Sequence, residues 1–208
     1  MAFSPAKENI LKKIRQALSN PVPLPFPQSE GTQSLFVLPS EDPTVIFAEE
    51  FTRLQGKFSY CHNEANLQQQ LLQLFEQRGW TKIYFTEKNI CSILEPAITP
   101  FTNLANCEVS VTGCESLVAR TGSIVLSAAQ QNGRTASVYA PIHVCVAYAS
   151  QINFDIKDAL IAIKKKYHDD MPSLISFASG PSRTADIEKT LVTGVHGPKE
   201  VYCFLVEG

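Results

Sequence analysis

The chain of 208 residues lacks both an excess of charge of one sign and a high density of charge. Lysine and arginine number 18 and aspartate and glutamate 20, and charged residues make up 18% of the chain, against about 25% in typical soluble domains. Because the formal net charge is -2, no overall positive field is present to attract a nucleic acid. Apolar residues make up 44%, enough for a sizeable core, which excludes a wholly disordered chain.

Long apolar runs are also missing. No stretch approaches the roughly 18 to 20 uninterrupted apolar residues that a membrane-spanning helix needs. The segment MAFSPAKENILKKIRQAL lacks the apolar run and the small-residue cleavage site of a signal peptide. The sequence therefore predicts a cytoplasmic protein without a membrane span.

Cysteine is sparse and scattered along the chain. The six cysteines form no Cys-x-x-Cys pair, and the nearest two, Cys107 and Cys114, are separated by six residues. Iron–sulfur clusters are usually held by closely spaced cysteines, so we expect no cluster and no metal site in this chain. Disulfide scaffolds need a higher cysteine density, so reduced and mostly buried thiols are predicted.

The sequence pattern predicts an N-terminal arm followed by one α/β domain. Residues 5–18 have apolar residues at helical spacing, and prolines at positions 21, 23, 25 and 27 then favour extended chain. From residue 42 onward helical stretches alternate with short apolar runs, which is typical of a mostly parallel sheet flanked by helices. We therefore predict a helix and a proline-rich arm over residues 1–40 and a single domain over residues 41–208.

Several elements of this domain are predicted in detail. Ser123–Ser127 and His143–Tyr148 are continuous apolar runs, of the kind found in strands that are buried on two faces. A helix is predicted over residues 155–167. A short helix over residues 185–191 and a last strand over residues 201–206 complete the predicted domain.

The densest group of unusual residues lies at positions 179–188. A strand is predicted to end here, and a helix beginning near Ser182 or Thr184 would direct free backbone N–H groups, two hydroxyls and the Arg183 guanidinium toward one anion. Ligands of parallel sheets gather at the carboxyl ends of strands, where this turn is predicted to lie. An ordinary strand-to-helix turn, in which Asp186 complements the helix dipole, is the alternative interpretation.

His196 lies between Gly194 and Gly197 in a predicted loop before the last strand. Histidine is the side chain best suited to acid–base work near neutral pH, so His196 is a candidate general acid or base, or a donor that orients a ligand. It also fits a plain turn. His143 begins a predicted buried strand and is interpreted as a structural histidine.

A second candidate stretch follows a predicted strand end at Gly113. One helical turn is predicted to present Glu115, and Thr121-Gly122-Ser123 then opens the next strand with hydroxyls and a backbone that a ligand can approach closely. Glu115 is a candidate nucleophile or base, or else a capping carboxylate. The common nucleotide-binding and hydrolase motifs are absent from the sequence.

These two stretches resemble the lactate-utilisation (LUD) domain family. The resemblance covers approximately residues 40–208. The resembling segments are Thr121-Gly-Ser123 with the Arg134 loop and Pro141, Ser179-Gly-Pro-Ser-Arg-Thr-Ala-Asp-Ile-Glu188, and Gly194-Val-His-Gly-Pro198. The residues that match the family motif positions are Gly180, Ser182, Arg183, Thr184, Asp186, His196 and Gly197.

The resemblance implies a fold like that of the ribose-phosphate isomerase, glucosamine-phosphate deaminase and CoA-transferase group, which handles small anionic or phosphorylated ligands. It also implies a role in oxidising L-lactate to pyruvate beside partner proteins that carry iron–sulfur clusters, while this chain itself binds no cofactor. The family supplies no assigned catalytic residues, so the residue roles given above are our own interpretation.

Three functions stay open at this point. The first is a subunit without clusters in a cytoplasmic lactate-oxidising system, a component of a complex in which Arg183 and His196 hold a small carboxylate or phosphate. The second is a free-standing transferase or isomerase that uses Glu115, and the third is a module that senses an anionic metabolite. The ligand and the oligomeric state, including an assembly of identical copies, are left undetermined. The residues predicted to bind the ligand are Thr121, Gly122, Ser123, Gly180, Ser182, Arg183, Thr184, Asp186 and Gly197.

Overall fold

The computed structural model of the protein describes residues 5–19, 41–131, 134–186 and 190–207. The chain divides between residues 40 and 41. The first part contains helix α1 (Pro5–Leu18), as its apolar spacing predicts. The predicted proline-rich arm at residues 20–40 lies outside the described residues. None of the described helices is long and apolar enough to cross a bilayer.

Helices and strands alternate along most of the second part of the chain. The helices are α2 (Pro43–Arg53), α3 (Glu64–Arg78), α4 (Lys88–Leu94), α5 (Ala136–Tyr139) and α6 (Ile156–Tyr167). The strands are β1 (Lys57–Cys61), β2 (Ile83–Tyr84), β3 (Val109–Thr112), β4 (Ser116–Val118), β5 (Ser123–Ser127), β6 (Ile142–Tyr148), β7 (Ile152–Asn153), β8 (Ile175–Ala178), β9 (Arg183–Asp186), β10 (Thr190–Thr193) and β11 (Glu200–Val206).

A five-stranded parallel sheet forms the centre of the domain. Its strand order is β1-β11-β6-β3-β2, and each neighbouring pair runs parallel. Strands β11, β6 and β3 are buried along almost their whole length, because apolar clusters cover both faces of the sheet. The predicted class, an α/β domain with a mostly parallel sheet flanked by helices, is therefore confirmed.

Strand β5 departs from the predicted parallel arrangement. It lies in a separate four-stranded sheet of order β7-β4-β5-β8 and runs antiparallel to both β4 and β8. Its continuous apolar run arises because Ile124 and Leu126 belong to one buried cluster, whereas Val125 packs with Ala159 and Ile163 of α6. Burial on two faces produces such a run in a strand of either direction, so the run did not reveal the antiparallel pairing.

The predicted helix over residues 185–191 is wrong, because the residues of this segment that the structure describes belong to β-strands. β9 and β10 pair antiparallel, with Thr184 opposite Val192. β-branched residues occur in both strands and favour extended backbone, whereas the sequence interpretation gave more weight to the acidic residues that suit a helix start. Consequently no helix begins at Ser182 or Thr184, and the predicted anion site at a helix N-terminus is not formed there.

Candidate functional site

A cavity of about 350 Å³ lies where the five-stranded sheet, the four-stranded sheet, strand β9 and helix α5 meet. We call it the arginine cavity, and it is bordered by Arg134, Arg183, His143, His196 and Ser179. No aspartate or glutamate is among the described residues that line it. Two guanidinium groups in a lining with no described carboxylate favour an anionic ligand, and the planar guanidinium matches a carboxylate or phosphate through paired hydrogen bonds. Further hydroxyl groups come from Ser127, Ser137, Ser176 and Ser182.

Ser182 connects the two chain segments that carry the predicted site residues. Its N–H donates to the carbonyl of Pro198 at 2.9 Å, and its carbonyl accepts from the N–H of Gly194, also at 2.9 Å. Gly197 packs so closely on Ser182 that a Cβ at this position would lie 3.0 Å from the Ser182 Cβ. The loop before β11 is therefore tied to the start of β9, and this tie brings His196 to the same cavity as Arg183.

Gly180 places the loop between β8 and β9 against helix α2. Its φ of +83° lies in the region that favours glycine, and a Cβ here would lie 2.3 Å from the carbonyl oxygen of Leu54. A side chain would therefore push the loop away from α2. The geometry therefore explains why glycine occurs at position 180: a residue without a side chain allows the two backbone segments to approach this closely.

The structure brings five of the predicted site residues together. Gly180, Ser182, Arg183, His196 and Gly197 all line the arginine cavity, and the side chains of Arg183 and His196 are exposed there. Thr184 and Asp186 continue strand β9, and only their backbone is described.

The segment from Thr121 to Ser123 does not line the arginine cavity. Gly122, at a φ of +54°, packs against helix α2, where a Cβ would lie 2.5 Å from the backbone nitrogen of Phe51. The Ser123 hydroxyl is buried and forms hydrogen bonds with the hydroxyls of Thr121 (2.8 Å) and Ser179 (2.7 Å). Ser123 therefore supports the cavity wall through Ser179, and Gly122 serves the packing of α2.

Glu115 lies between β3 and β4, and the predicted helical turn is absent. Its side chain is only 1% exposed. Its Oε1 accepts hydrogen bonds from Ser127 (2.6 Å) and Tyr167 (2.7 Å), and its Oε2 accepts one from Lys166 (2.8 Å). Burial alone would raise the pKa of the Glu115 carboxyl, but the hydrogen bonds from Lys166, Ser127 and Tyr167 outweigh it and hold this pKa below its usual value.

The arginine cavity lies at the amino ends of the central parallel strands, and not at the carboxyl ends as predicted. His143 and Val201, which line the cavity, are the second residues of β6 and β11. The loop at residues 179–182 does follow the carboxyl end of a strand, but that strand is β8 in the antiparallel part of the fold. The general rule for ligand sites of parallel sheets therefore does not account for this cavity.

Sequence reasoning did not assign Arg134 and His143, which also line the cavity, to the predicted site. Arg134 donates a hydrogen bond to the Ser173 hydroxyl at 2.6 Å, which holds its guanidinium near the cavity. It is the only lysine or arginine between Arg120 and Lys157, and an isolated cation in a polar loop is a signal that could have identified it. No sequence signal separated His143 from a structural core histidine.

His143 is held as a neutral ring in a defined tautomer. The Thr112 hydroxyl donates to the carbonyl of Gly113 at 2.9 Å and lies 2.8 Å from the Nε2 atom of His143. Since a hydroxyl has one proton to donate, Nε2 carries the ring proton and Nδ1 is left as an acceptor. Burial lowers the pKa of His143 to about 4, which agrees with a neutral ring at physiological pH.

We expect His143 to make the folded protein less stable as the pH falls from 6.5 to about 4. Its pKa is about 4 in the folded protein against 6.5 for ordinary histidine, so the unfolded chain takes up this proton first. Within this window the free energy of unfolding should fall by at most about 1.4 kcal/mol per pH unit. Above and below the window, His143 should cause no further change of this free energy with pH. Urea unfolding of the wild type and His143→Gln at a series of pH values measures the effect. A difference between the two proteins that stays constant across the window would contradict it.

The cysteines behave as packing residues. Cys61, Cys107, Cys114, Cys145 and Cys203 are buried, and Cys91 is partly exposed. Burial raises the pKa of the Cys61 thiol to about 11, so its reactive thiolate is scarce at neutral pH. In the part of the chain that the structure describes, no group of three or more histidine, cysteine, aspartate or glutamate side chains is placed to hold a metal ion.

Fold and cavity together define the class of this protein. It is an α/β protein in which a mostly parallel sheet and a smaller sheet border a cavity lined by arginine, histidine and serine. The sequence model of the LUD domain family matches residues 101–206, just over half of the chain. The chain therefore belongs to the LUD domain family, and the resemblance seen in its motifs is confirmed.

Curated relatives match about half of this chain. Lactate utilization protein C of Bacillus licheniformis is 36% identical over 101 residues, which are 48% of this chain and 42% of that protein. Lactate utilization protein C of Deinococcus radiodurans is 31% identical over 113 residues, which are 54% of this chain and 52% of that protein. An uncharacterized protein of Neisseria meningitidis serogroup B is 34% identical over 101 residues, 49% of this chain and 42% of its own length. The match thus spans about half the length of these relatives.

A solved structure shares the fold. The crystal structure of a DUF162 family protein from Deinococcus radiodurans matches with a TM-score of 0.60, over 82% of this chain and 99% of that one. The two sequences are 18% identical, so this likeness supports the fold alone.

Proposed function

We propose that this protein is a component of a lactate utilization system and that its arginine cavity binds a small carboxylate such as lactate or pyruvate. The main support for this proposal is the position in the sequence of the residues that line the cavity. The described residues that line the cavity fall between Leu126 and Val201, entirely inside the segment matched by the LUD domain model. About half of the chain is similar to lactate utilization protein C of Bacillus licheniformis and of Deinococcus radiodurans.

The chemistry of the cavity fits a 2-hydroxy or 2-oxo acid. Arg183 and Arg134 supply guanidinium donors for the carboxylate, and serine hydroxyls can donate to or accept from the neighbouring hydroxyl or carbonyl group. Neutral His143 adds an acceptor at Nδ1. His196, exposed at the cavity, is the group proposed to orient the ligand or to exchange a proton with it.

Oxidation of lactate to pyruvate releases two electrons and two protons. Arginine, histidine and serine side chains do not accept electrons, so the proposal assigns the electrons to partner proteins with iron–sulfur clusters in the cytoplasm. This chain would contribute the binding of the carboxylate and one proton-transfer group.

The alternative transferase or isomerase function receives less support from the geometry. Such a role needs Glu115 as an accessible nucleophile or base. Its side chain is 1% exposed, and both of its oxygens already accept hydrogen bonds. A metabolite-sensing module would also bind the carboxylate. It differs from a component of the lactate utilization system because growth on lactate would not require a sensing module.

Growth on L-lactate tests the proposed function. The gene is deleted in the organism that encodes it, and we expect growth on lactate to be lost and to return with the wild-type gene. Arg183→Gln should fail to restore growth, whereas the matched change Arg53→Gln, at an exposed arginine of α2, should restore it. Unimpaired growth of the deletion strain would contradict a role in lactate utilization. If that strain grows but the protein binds lactate, the sensing function is favoured instead.

A further inference from the structure

A second cavity, of about 470 Å³, lies at the carboxyl ends of the central parallel strands. Gly113, which directly follows β3, and Tyr148, the last residue of β6, both line it. We call it the lysine cavity, and it is bordered by Lys88, Asn89, Gln131, Lys166 and Tyr167. This end of a parallel sheet is where α/β proteins generally bind ligands, and the arginine cavity does not occupy it.

Lys166 is held in position for a ligand. Its Nζ donates one hydrogen bond to the buried Glu115 carboxylate at 2.8 Å and lies 5.0 Å from the centre of the Tyr167 ring. An ammonium group has three donors, so donors remain for the cavity that Lys166 lines. Its side chain is 60% exposed although its charged end is anchored. Anchoring of this kind reduces the entropy that ligand binding would otherwise cost.

The charge of Lys166 is maintained at neutral pH. Burial alone would lower the pKa of Lys166, but the hydrogen bond to Glu115 outweighs it and raises the pKa above its usual value. Glu115 thus acts as a positioning residue for Lys166.

The other polar side chains of this cavity divide into two groups. Gln130 and Gln151 are engaged in the wall, because the Gln130 side chain accepts from the Ser127 N–H at 2.9 Å and the Gln151 side chain donates to the Cys114 carbonyl at 2.8 Å. Lys88, Asn89 and Gln131 are exposed side chains that line the same cavity.

Glu87 sets a second requirement on the ligand. Its carboxylate is buried beside the strand end and accepts a hydrogen bond from the N–H of Gly113 at 3.0 Å. A carboxylate in the lining attracts hydrogen-bond donors and repels a second anion, so Glu87 favours a ligand that carries a donor such as a hydroxyl group beside its oxyanion. An anionic group suits the lysines, and a donor group suits Glu87.

We propose that the lysine cavity is a second ligand site, which binds a small molecule through an oxyanion group held by Lys88 and Lys166. Hydroxyl groups of the same molecule would contact Glu87 and Gln131. This site is separate from the arginine cavity, so it does not depend on the proposed carboxylate site.

Binding of inorganic phosphate, as the probe, tests this site by isothermal titration in a phosphate-free buffer at constant ionic strength. We expect Lys88→Met to weaken phosphate binding by about tenfold, because one charge-assisted contact is lost. The matched control is Lys164→Met, which removes the same charge from α6 outside the cavity lining and should change the affinity less than twofold. Lys166→Met should also weaken binding, and its urea unfolding shows whether loss of the Glu115 contact impairs folding.

The location is tested independently by amide chemical shifts. Phosphate should shift the amide signal of Gly113 in the wild type and in Arg183→Gln, and this shift should be weaker in Lys88→Met, whereas a shift at Gly197 reports binding in the arginine cavity. The proposal is overturned if the wild type does not bind phosphate at millimolar concentrations, or if Lys88→Met binds as well as the wild type. Loss of phosphate binding in Arg183→Gln alone would place the anion in the arginine cavity and would also overturn it.

Discussion

Replacement of Arg183 by glutamine is expected to weaken pyruvate binding by about tenfold or more. A hydrogen bond to a charged group contributes about 1.5 to 3 kcal/mol, and every 1.4 kcal/mol is about a factor of ten in affinity. Arg183 is exposed at the cavity, so solvent screening places the expected effect toward the lower end of this range. Glutamine keeps a polar side chain and removes the charge and the paired donors, so the change isolates the guanidinium.

Isothermal titration with pyruvate and with L-lactate measures this effect. Arg53→Gln, the matched exposed arginine on α2, should bind as the wild type does. Arg134→Gln should weaken binding as well, because Arg134 supplies the second guanidinium of the cavity. If Arg183→Gln binds both acids with wild-type affinity, the carboxylate does not occupy the arginine cavity.

Replacement of Gly122 by alanine is expected to lower the free energy of unfolding by about 2 to 5 kcal/mol. A positive φ costs a residue with a Cβ about 1 to 2 kcal/mol, and overpacking of a dense interior costs about 1 to 3 kcal/mol further. Both apply at Gly122, where φ is +54° and a Cβ would lie 2.5 Å from the backbone nitrogen of Phe51. Backbone of a buried helix cannot move aside as the end of a flexible side chain can.

Gly79 offers a matched control for this prediction. It ends helix α3 at a φ of +67°, and a Cβ there would meet no atom within 4 Å. Gly79→Ala should therefore show the conformational cost alone, about 1 to 2 kcal/mol. Urea unfolding of both variants measures the difference, and each kcal/mol also corresponds to about 2 to 4 °C in Tm for a chain of this size. Equal losses in the two variants would show that contact with α2 is not what requires glycine at position 122.

The surroundings of Gly122 differ from those that the sequence motif suggested. The sequence suggested a backbone that a ligand can approach closely, and the structure shows that helix α2 is what approaches it. The physical requirement, a glycine at a point of close contact, was identified correctly, but the contacting group was not. Ser123 shows the same outcome, because its hydroxyl contacts Thr121 and Ser179 inside the protein.

Local sequence determined a large part of this fold. Helical periodicity, and runs such as His143–Tyr148 with apolar residues at successive positions, depend on near neighbours in the chain, so the helices α1 and α6 and the strands β6 and β11 were predictable. The pairing of β9 with β10 was not predictable from local sequence. The acidic residues of this segment also suit a helix start, and only the pairing of the two strands identifies them as strands. The likeness to the ribose-phosphate isomerase and CoA-transferase group stays a prediction.

The sequence by itself determined the α/β class and the LUD domain family, and it predicted Arg183 and His196 as a pair of site residues. Only the tertiary structure decided what surrounds them. The order of the strands brings Arg134 and His143 to the same cavity as Arg183, although 49 and 40 positions separate them from it in the chain. It also buries Glu115 beside Lys166, 51 positions away in the chain. Such contacts depend on which strands become neighbours, and that choice is made by burial of the whole apolar surface rather than by local spacing.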